Sequence, residues 1–153
     1  MARDLLTLFA GYAKDDDMNQ SHDRIQLTGL NTSMTIARVA PTVVVVSIWG
    51  SDAGELGDAP FVELEKQVTK GTFSLFIDAR RTKGASVDVS NVWARWLRAH
   101  RDVLVRIHML TGSRYVQMTA DFVRRFAELG DAMLIYTDPS VFDETLASAV
   151  ESH

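Results

Sequence analysis

The sequence predicts an α/β fold in which a mixed, mostly parallel sheet of five strands is layered with about four helices. Two observations carry this prediction. The run Val43-Val44-Val45-Val46-Ser47-Ile48-Trp49 before Gly50 is almost continuously apolar or β-branched, which is typical of a strand covered on both faces in a parallel sheet. After this run, helix-like and strand-like segments alternate to the end of the chain, and right-handed crossovers place such strands side by side.

Residues 1–33 are interpreted as an N-terminal appendage. Leu5, Phe9 and Tyr12 share one face at helical spacing, which predicts a short amphipathic helix over 4–13 that docks a partner or a second copy. A polar linker follows this helix. Alternating apolar residues at 24–28 predict an extra edge strand within the same appendage.

The linker at 15–23 superficially matches the residue pattern of a calcium-binding loop. Gln20 and Gln26 stand where that loop needs glycine for its turn and glutamate as a bidentate ligand. We therefore expect a solvated acidic linker and no metal site.

The main domain is predicted over 34–153. Apolar runs bounded by turn signals predict its strands at 35–39, 43–49, 73–78, 103–110 and 132–136. Helix-start residues such as Asp58, Ser113 and Asp138, and stops such as Gly71, delimit the helices between the strands. The residues expected to face inward are Phe61, Leu64 and Val68 in the first helix, Val89, Val92, Trp93, Trp96 and Leu97 in the second, Tyr115, Met118, Phe122, Val123 and Phe126 in the third, and Phe142, Leu146, Ala149 and Val150 in the fourth.

Composition excludes several functional classes. The chain has 153 residues, enough for one domain with a full core, and no cysteine, which rules out disulfides, thiolate catalysis and cysteine-bound metal clusters. No stretch approaches the roughly 20 apolar residues of a membrane helix, and the first 13 residues make a poor secretory signal. We expect a cytoplasmic protein without a membrane span.

The net charge of −4 is unevenly distributed along the chain. Residues 80–125 hold ten lysines and arginines against three aspartates, a local balance of +7, whereas residues 126–153 hold six acidic residues and no lysine or arginine. Such blocks can steer charged partners or drive self-association, although a solvated helix face is the commoner explanation.

No catalytic constellation accompanies this scaffold. The chain lacks a phosphate-binding glycine loop, a dinucleotide fingerprint and a nucleophile elbow, and its four histidines have no zinc-type spacing. His108 lies inside a predicted strand, where a hydrogen-bonded structural histidine is expected. We expect no enzyme activity and no cofactor.

The most suggestive position is Asp78, at the predicted carboxyl end of a strand and before a basic loop over 80–87. Ligands and partners of open parallel sheets bind at this end of the strands. Arg80, Arg81 and Lys83 are therefore candidates, with Asp78, for binding an anion or an acidic partner surface. The alternative is that Asp78 pairs locally with Arg80 or Arg81. Both interpretations stay open at this stage.

The tryptophan-bearing helix also carries arginines, a combination found in nucleic-acid-binding proteins. Trp93 and Trp96, however, fall on the predicted core stripe and not among the cations. Nucleic-acid binding is therefore not expected.

The element order, the strand ending at Gly50 and the acidic strand end at Asp78 resemble the STAS domain family, which includes anti-sigma-factor antagonists and cytoplasmic tails of sulfate transporters. The resemblance covers about 34–150, and the tryptophan-bearing helix looks like the divergent bacterial branch related to Sec14-type lipid-binding domains. It implies a non-enzymatic protein-interaction module in a bacterial cytoplasm. The implied partner is a protein such as an anti-sigma factor or a kinase-like regulator, or a second copy in a homodimer.

Many members of this family are switched by phosphorylation of a serine in a D-S-S-G motif. The matching segment here is Asp88-Val89-Ser90-Asn91, which puts Ser90 at the phosphoserine position but replaces the second serine and the glycine. The alternative is that Ser90 is an ordinary residue near the start of a helix.

The leading functional prediction is a regulator or scaffold of STAS type. The alternative is a small-ligand domain that holds a lipid or nucleotide under the tryptophan-bearing helix. Met109, Met118, Phe122 and Met133 are the residues that would line such a cavity, although bulky stripes of this kind usually form packed core.

Overall fold

The computed structural model describes residues 24–152. Residues 24–152 form one sheet and four α-helices. The strands are β1 Arg24–Thr28, β2 Thr32–Ala40, β3 Val43–Asp52, β4 Phe73–Ala85, β5 Leu104–Thr111 and β6 Met133–Tyr136. The helices are α1 Ala59–Val68, α2 Val87–Ala99, α3 Arg114–Phe126 and α4 Pro139–Glu151. Within this part of the chain, no helix has the length and apolar character needed to cross a membrane.

The six strands lie in the sheet in their sequence order. β1, β2 and β3 are antiparallel neighbours, and β3, β4, β5 and β6 are joined by parallel pairs. The predicted mixed, mostly parallel α/β architecture is therefore confirmed, with six strands instead of five. The sixth is the predicted edge strand β1, which pairs with β2 along its whole length, so that Ile25 lies opposite Ile36 and Leu27 opposite Met34. The predicted domain boundary at residue 34 stays a prediction.

The sheet is covered on both faces, which explains the uninterrupted valine run of β3. Val44 and Val46 belong to the larger apolar cluster beneath α1, α2 and α3, and Val43 and Val45 belong to a smaller cluster beneath α4. All four valines are at most 2% exposed. Burial of each side chain contributes roughly 1.5–3 kcal/mol relative to exposure. Alternation along a strand thus sends successive apolar residues to two different cores.

Both central strands extend beyond their predicted ends. β3 continues through Gly50, and β4 continues through the segment predicted as a basic loop at 80–87, because the two strands keep pairing in parallel up to Asp52 and Ala85. Gly50 does not stop the strand. Its φ is +84°, and a Cβ atom there would lie 2.2 Å from the carbonyl oxygen of Asn31, so glycine permits the β1–β2 turn to approach β3.

The prediction for α3 was wrong about most of its inward face. Val116, Ala120 and Val123 are buried in the structure, and of these only Val123 was predicted to be so. The other four residues predicted to face inward are exposed, by 60% for Tyr115, 65% for Met118, 38% for Phe122 and 47% for Phe126. The helix carries two apolar stripes, and the stripe of smaller residues packs on the sheet. The inward residues Leu64 of α1, Trp93 and Leu97 of α2, and Phe142 and Leu146 of α4 are buried as predicted.

His108 has the structural role expected from its position in a strand. Its ring stacks on Phe76 with 4.1 Å between ring centroids, and its Nδ1 lies 2.8 Å from the hydroxyl of Tyr136. Burial, and then the positive charge of Arg106, lower the pKa of His108 to about 4. The imidazole is therefore neutral at pH 7.

This pKa predicts a pH dependence of stability. The folded pKa lies below the ordinary value of 6.5, so between about pH 6.5 and 4 the unfolded chain binds a proton that the folded chain excludes. The stability contributed by neutral His108 is fully present above pH 6.5 and is lost as the pH falls towards 4. Urea unfolding of the wild type and of His108→Phe at pH 7 and 4.5 should show a smaller loss of unfolding free energy in the variant. Equal losses in the two proteins would contradict the assignment.

Candidate functional site

A cleft of about 510 Å³ opens where the parallel strands β4, β5 and β6 reach the same edge of the sheet. This is the carboxyl edge, at which ligands of open parallel sheets bind. The start of α3 lies beside it, since only Gly112 and Ser113 separate β5 from α3. The residues lining the cleft are Arg80, Arg81, Thr111, Gly112, Ser113, Arg114, Gln117, Thr137 and Pro139.

Arg80 of β4 pairs with two carboxylates, Asp78 on the same strand and Asp143 on α4. Its Nε donates to Asp78 Oδ1 at 3.0 Å, its Nη1 donates to Asp143 Oδ2 at 3.3 Å, and its Nη2 pairs with Asp143 Oδ1. Asp143 is only 1% exposed, so Arg80 neutralises a charge that is buried under α4. Burial of the guanidinium lowers its pKa, but Asp143 and Asp78 outweigh this effect, and the pKa of Arg80 is raised overall. The local ion pair between Asp78 and Arg80 is present in the structure, and a role of Asp78 in binding stays a prediction.

The wall of the cleft is fixed by backbone contacts. A Cβ atom on Gly112 would lie 2.2 Å from the carbonyl oxygen of Arg80, so the β5–α3 turn presses directly on β4. Thr111 Oγ1 donates to the carbonyl of Tyr136 at 3.3 Å and ties β5 to β6. Ser113 Oγ accepts from the backbone N–H of Val116 at 3.2 Å and caps α3, as the sequence predicts.

Two exposed arginines border this fixed wall. Arg81, from β4, and Arg114, the first residue of α3, form no ion pair with any other residue in the part of the chain that the structure describes. The positive end of the α3 dipole adds to their field. The cleft can therefore attract an anionic group, and planar guanidinium groups suit carboxylates and phosphates.

The predicted site residues separate into two groups in the structure. Arg80 and Arg81 line the cleft, whereas Lys83 is exposed further along β4 and Asp78 is engaged with Arg80. Arg114 was missed by the sequence analysis. A signal for it was available, because Arg114 directly follows the predicted cap Ser113 at the end of a strand.

Ser90 is buried in the second turn of α2. It is 6% exposed, and its hydroxyl donates to the carbonyl oxygen of Ser86 at 3.0 Å. Ser86 is the residue that caps the helix, by accepting from Val89 N–H at 3.1 Å. Phosphorylation of Ser90 stays a prediction, and it would require the start of α2 to move because the hydroxyl faces the helix backbone.

Other candidates from the sequence lie elsewhere. Leu5, Phe9 and Tyr12 fall outside the described residues, as does the acidic segment at 15–23. Within residues 24–152, no group of three or more histidines and carboxylates is placed to hold a metal ion.

The four residues proposed to line a ligand cavity do not surround a common space. Met133 is 1% exposed within the core, whereas Met118 and Phe122 lie on the outer side of α3. The tryptophan-bearing helix instead borders a surface groove of about 400 Å³ between α1 and α2, with Phe61 and Trp96 in its lining. Both tryptophans are less than one-tenth exposed, in agreement with the prediction that they belong to the core.

Two solved structures share this fold. One is an uncharacterized protein of the DUF3478 family from Shewanella loihica PV-4, described as having a SpoIIAA-like fold, with a TM-score of 0.53 and 14% identity over 78% of this chain and 98% of that one. The other is the anti-sigma factor antagonist SpoIIAA in its unphosphorylated form, with a TM-score of 0.50 and 19% identity over 74% of this chain and 96% of that one. No family model and no curated protein matches the sequence. The predicted STAS-like fold is confirmed, and at these identities the similarity concerns the fold alone.

The neighbouring residues Arg80 and Arg81 allow a matched test of the ion-pair assignment. Arg80→Met should lower the free energy of unfolding by about 2 kcal/mol, because it leaves the buried Asp143 carboxylate without its cation. This is below the ~3–5 kcal/mol of a fully buried pair, because Arg80 is partly exposed. Arg81→Met should change the free energy by less than about 0.5 kcal/mol. Urea denaturation at pH 7 measures both, and similar losses in the two variants would contradict the assignment.

Proposed function

We propose that this chain is a non-enzymatic protein-interaction module of STAS type, a regulator or scaffold that binds an acidic surface of a partner protein at the cleft bordered by Arg81 and Arg114. The single observation that carries the proposal is this pair of exposed arginines. Each projects from a rigid element at the carboxyl edge of the sheet, and neither has a carboxylate partner among the described residues. The proposed partner is an anti-sigma factor or a kinase-like regulator, in a bacterial cytoplasm.

The chemistry of the cleft supports binding more than catalysis. Among the described residues, its lining offers guanidinium groups, hydroxyls and the amide of Gln117, and includes no histidine or carboxylate that could act as a general acid or base. His108 is neutral and enclosed between Phe76 and Tyr136, so it is not available to a substrate in this cleft.

The fold similarity supports the same class of function without naming the partner. SpoIIAA is an anti-sigma factor antagonist, so a chain with this fold can act through contacts with another protein. Because one fold hosts many functions, the partner must be deduced from the site itself. An acidic protein surface is the class of partner that the two arginines favour.

A small ligand is the second candidate, and the groove between α1 and α2 is the observation that favours it. Phe61 and Trp96 supply an apolar wall there, and the indole N–H of Trp96 is already bound to Glu65 Oε1 at 3.0 Å. A lipid or nucleotide that co-purifies with the protein in native mass spectrometry would support this second candidate against the first.

Charge reversal at the cleft tests the leading proposal. Arg81→Glu with Arg114→Glu should lower the amount of a specific partner captured from source-cell extract by at least tenfold, because two attractive contacts become repulsive. Arg80 is kept, since its loss would disturb the fold. Quantitative mass spectrometry of the retained proteins provides the measurement.

The matched control is Arg101→Glu with Arg106→Glu. Both residues are exposed and lie outside the cleft, and the control changes the net charge by the same amount. Partners should be retained by the control at wild-type levels. Retention by the cleft variant at wild-type levels, or equal loss in the control, would contradict docking at the cleft.

A further inference from the structure

The outer side of α3 carries an apolar stripe of four large side chains, Tyr115, Met118, Phe122 and Phe126. They are spaced by three or four residues, so they share one face of the helix, and each is at least 38% exposed. Phe122 and Phe126 stack with 5.5 Å between ring centroids. Single exposed apolar residues are ordinary, but a continuous stripe of this kind marks a surface that another segment covers.

The stripe has a positive border, which restricts what can cover it. Arg125, in the last turn of α3, has a side chain that is 74% exposed, and its nearest carboxylate oxygen, on Asp121, is 3.5 Å away. Arg98, on the neighbouring helix α2, is 52% exposed and makes a 3.4 Å contact with the exposed Glu128. With Arg124, which also pairs with Asp121, this border holds three arginines against two carboxylates and keeps a net charge of +1. The complementary occupant is an apolar segment with acidic flanks.

This chain contains such a segment outside the described residues. Residues 1–23 include Leu5, Phe9 and Tyr12 at helical spacing, with five aspartates against two basic residues, a side-chain charge of −3. Three of these aspartates, at 15–17, follow the apolar part after a single lysine, Lys14. The apolar face of this segment, followed by its acidic run, is therefore complementary to the apolar stripe and the positive border of α3.

The direction of the strands brings this segment to the edge of the sheet at which α3 ends. β1 runs parallel to β3, since each is antiparallel to β2, so the chain enters β1 from the amino edge of the parallel strands. α3 starts at the carboxyl edge and runs back, so Phe126 at its end lies towards the amino edge. Three to four strand spacings, about 14–19 Å, separate β1 from β4 and β5, and the ten residues 14–23 span up to about 33–36 Å when extended.

We propose that residues 4–13 of this chain dock on the α3 stripe of the same molecule as an amphipathic helix. Leu5, Phe9 and Tyr12 contact the stripe, and the aspartates at 15–17 lie beside Arg125 and Arg98. Tethering gives the segment an effective concentration on the order of millimolar, so a competing partner must displace it. The stripe does not include Arg81 or Arg114, so this inference stands independently of docking at the cleft.

The absence of native cysteine makes a spin-label test direct. A nitroxide on Ala13→Cys should broaden the amide NMR signals of α3 at least twofold more than those of α4, which covers the opposite face of the sheet. Adding Phe9→Asp or Met118→Asp should abolish this difference. The matched control is Val141→Asp, at a 49% exposed valine of α4, which should leave the broadening of α3 unchanged.

A mixed sample distinguishes docking within one molecule from docking on a second copy. In an equimolar mixture of ¹⁵N-labelled chain without nitroxide and unlabelled chain with nitroxide, the α3 signals should stay sharp. Broadening in that mixture would show docking on a second copy and overturn the intramolecular proposal. Uniform broadening, no broadening, or broadening that survives both Phe9→Asp and Met118→Asp would overturn it as well. Amide shifts of the sheet verify that each variant is folded.

Discussion

The parallel pairing of β3 with β4, covered by apolar layers on both faces, is the constraint on which the rest of this structure depends. Because both faces of this pair are covered, the side chains of its central segment must be apolar or hydrogen-bonded. The valine run of β3 meets this requirement on both faces. Once the pair exists, its ladder of hydrogen bonds extends as far as the two backbones remain adjacent. It therefore includes Arg81 and Lys83, whose polar side chains would otherwise favour a loop. The position of the cationic cleft follows from this extension.

The two adjacent arginines of the basic segment of β4 have different surroundings. Arg80 is bound to Asp78 and to the buried Asp143, so its charge is used in holding α4 against the sheet. Arg81, the next residue, is exposed and borders the cleft. Arg80, and not Arg81, forms this ion pair because it lies beside the buried Asp143, and a buried carboxylate without a cation would be strongly unfavourable. Adjacent residues of the same type thus differ in their contacts because only one of them lies beside a buried carboxylate.

Two surfaces of different chemistry result on this SpoIIAA-like fold. The cleft at the carboxyl edge is cationic and rigid, while the outer side of α3 is apolar with a positive border. At 14–19% identity to the two solved structures, the similarity concerns the fold, and the surface residues carry whatever is particular to this chain. The features particular to this chain are therefore Arg81, Arg114 and the stripe.

The sequence by itself determined the order of the elements and most of their boundaries. Alternation, helical periodicity and caps such as Ser113 and Asp138 are local signals, and the structure agrees with them. Only the tertiary structure decided which stripe of α3 is buried and which arginine is structural. Tyr115 and Val116 belong to two apolar stripes of the same helix, and periodicity does not say which one meets the sheet. Arg80 and Asp143 are 63 residues apart in sequence, so their pairing depends on the sheet bringing β4 under α4. Secondary structure is encoded locally, whereas the choice of partner is made by packing between distant segments.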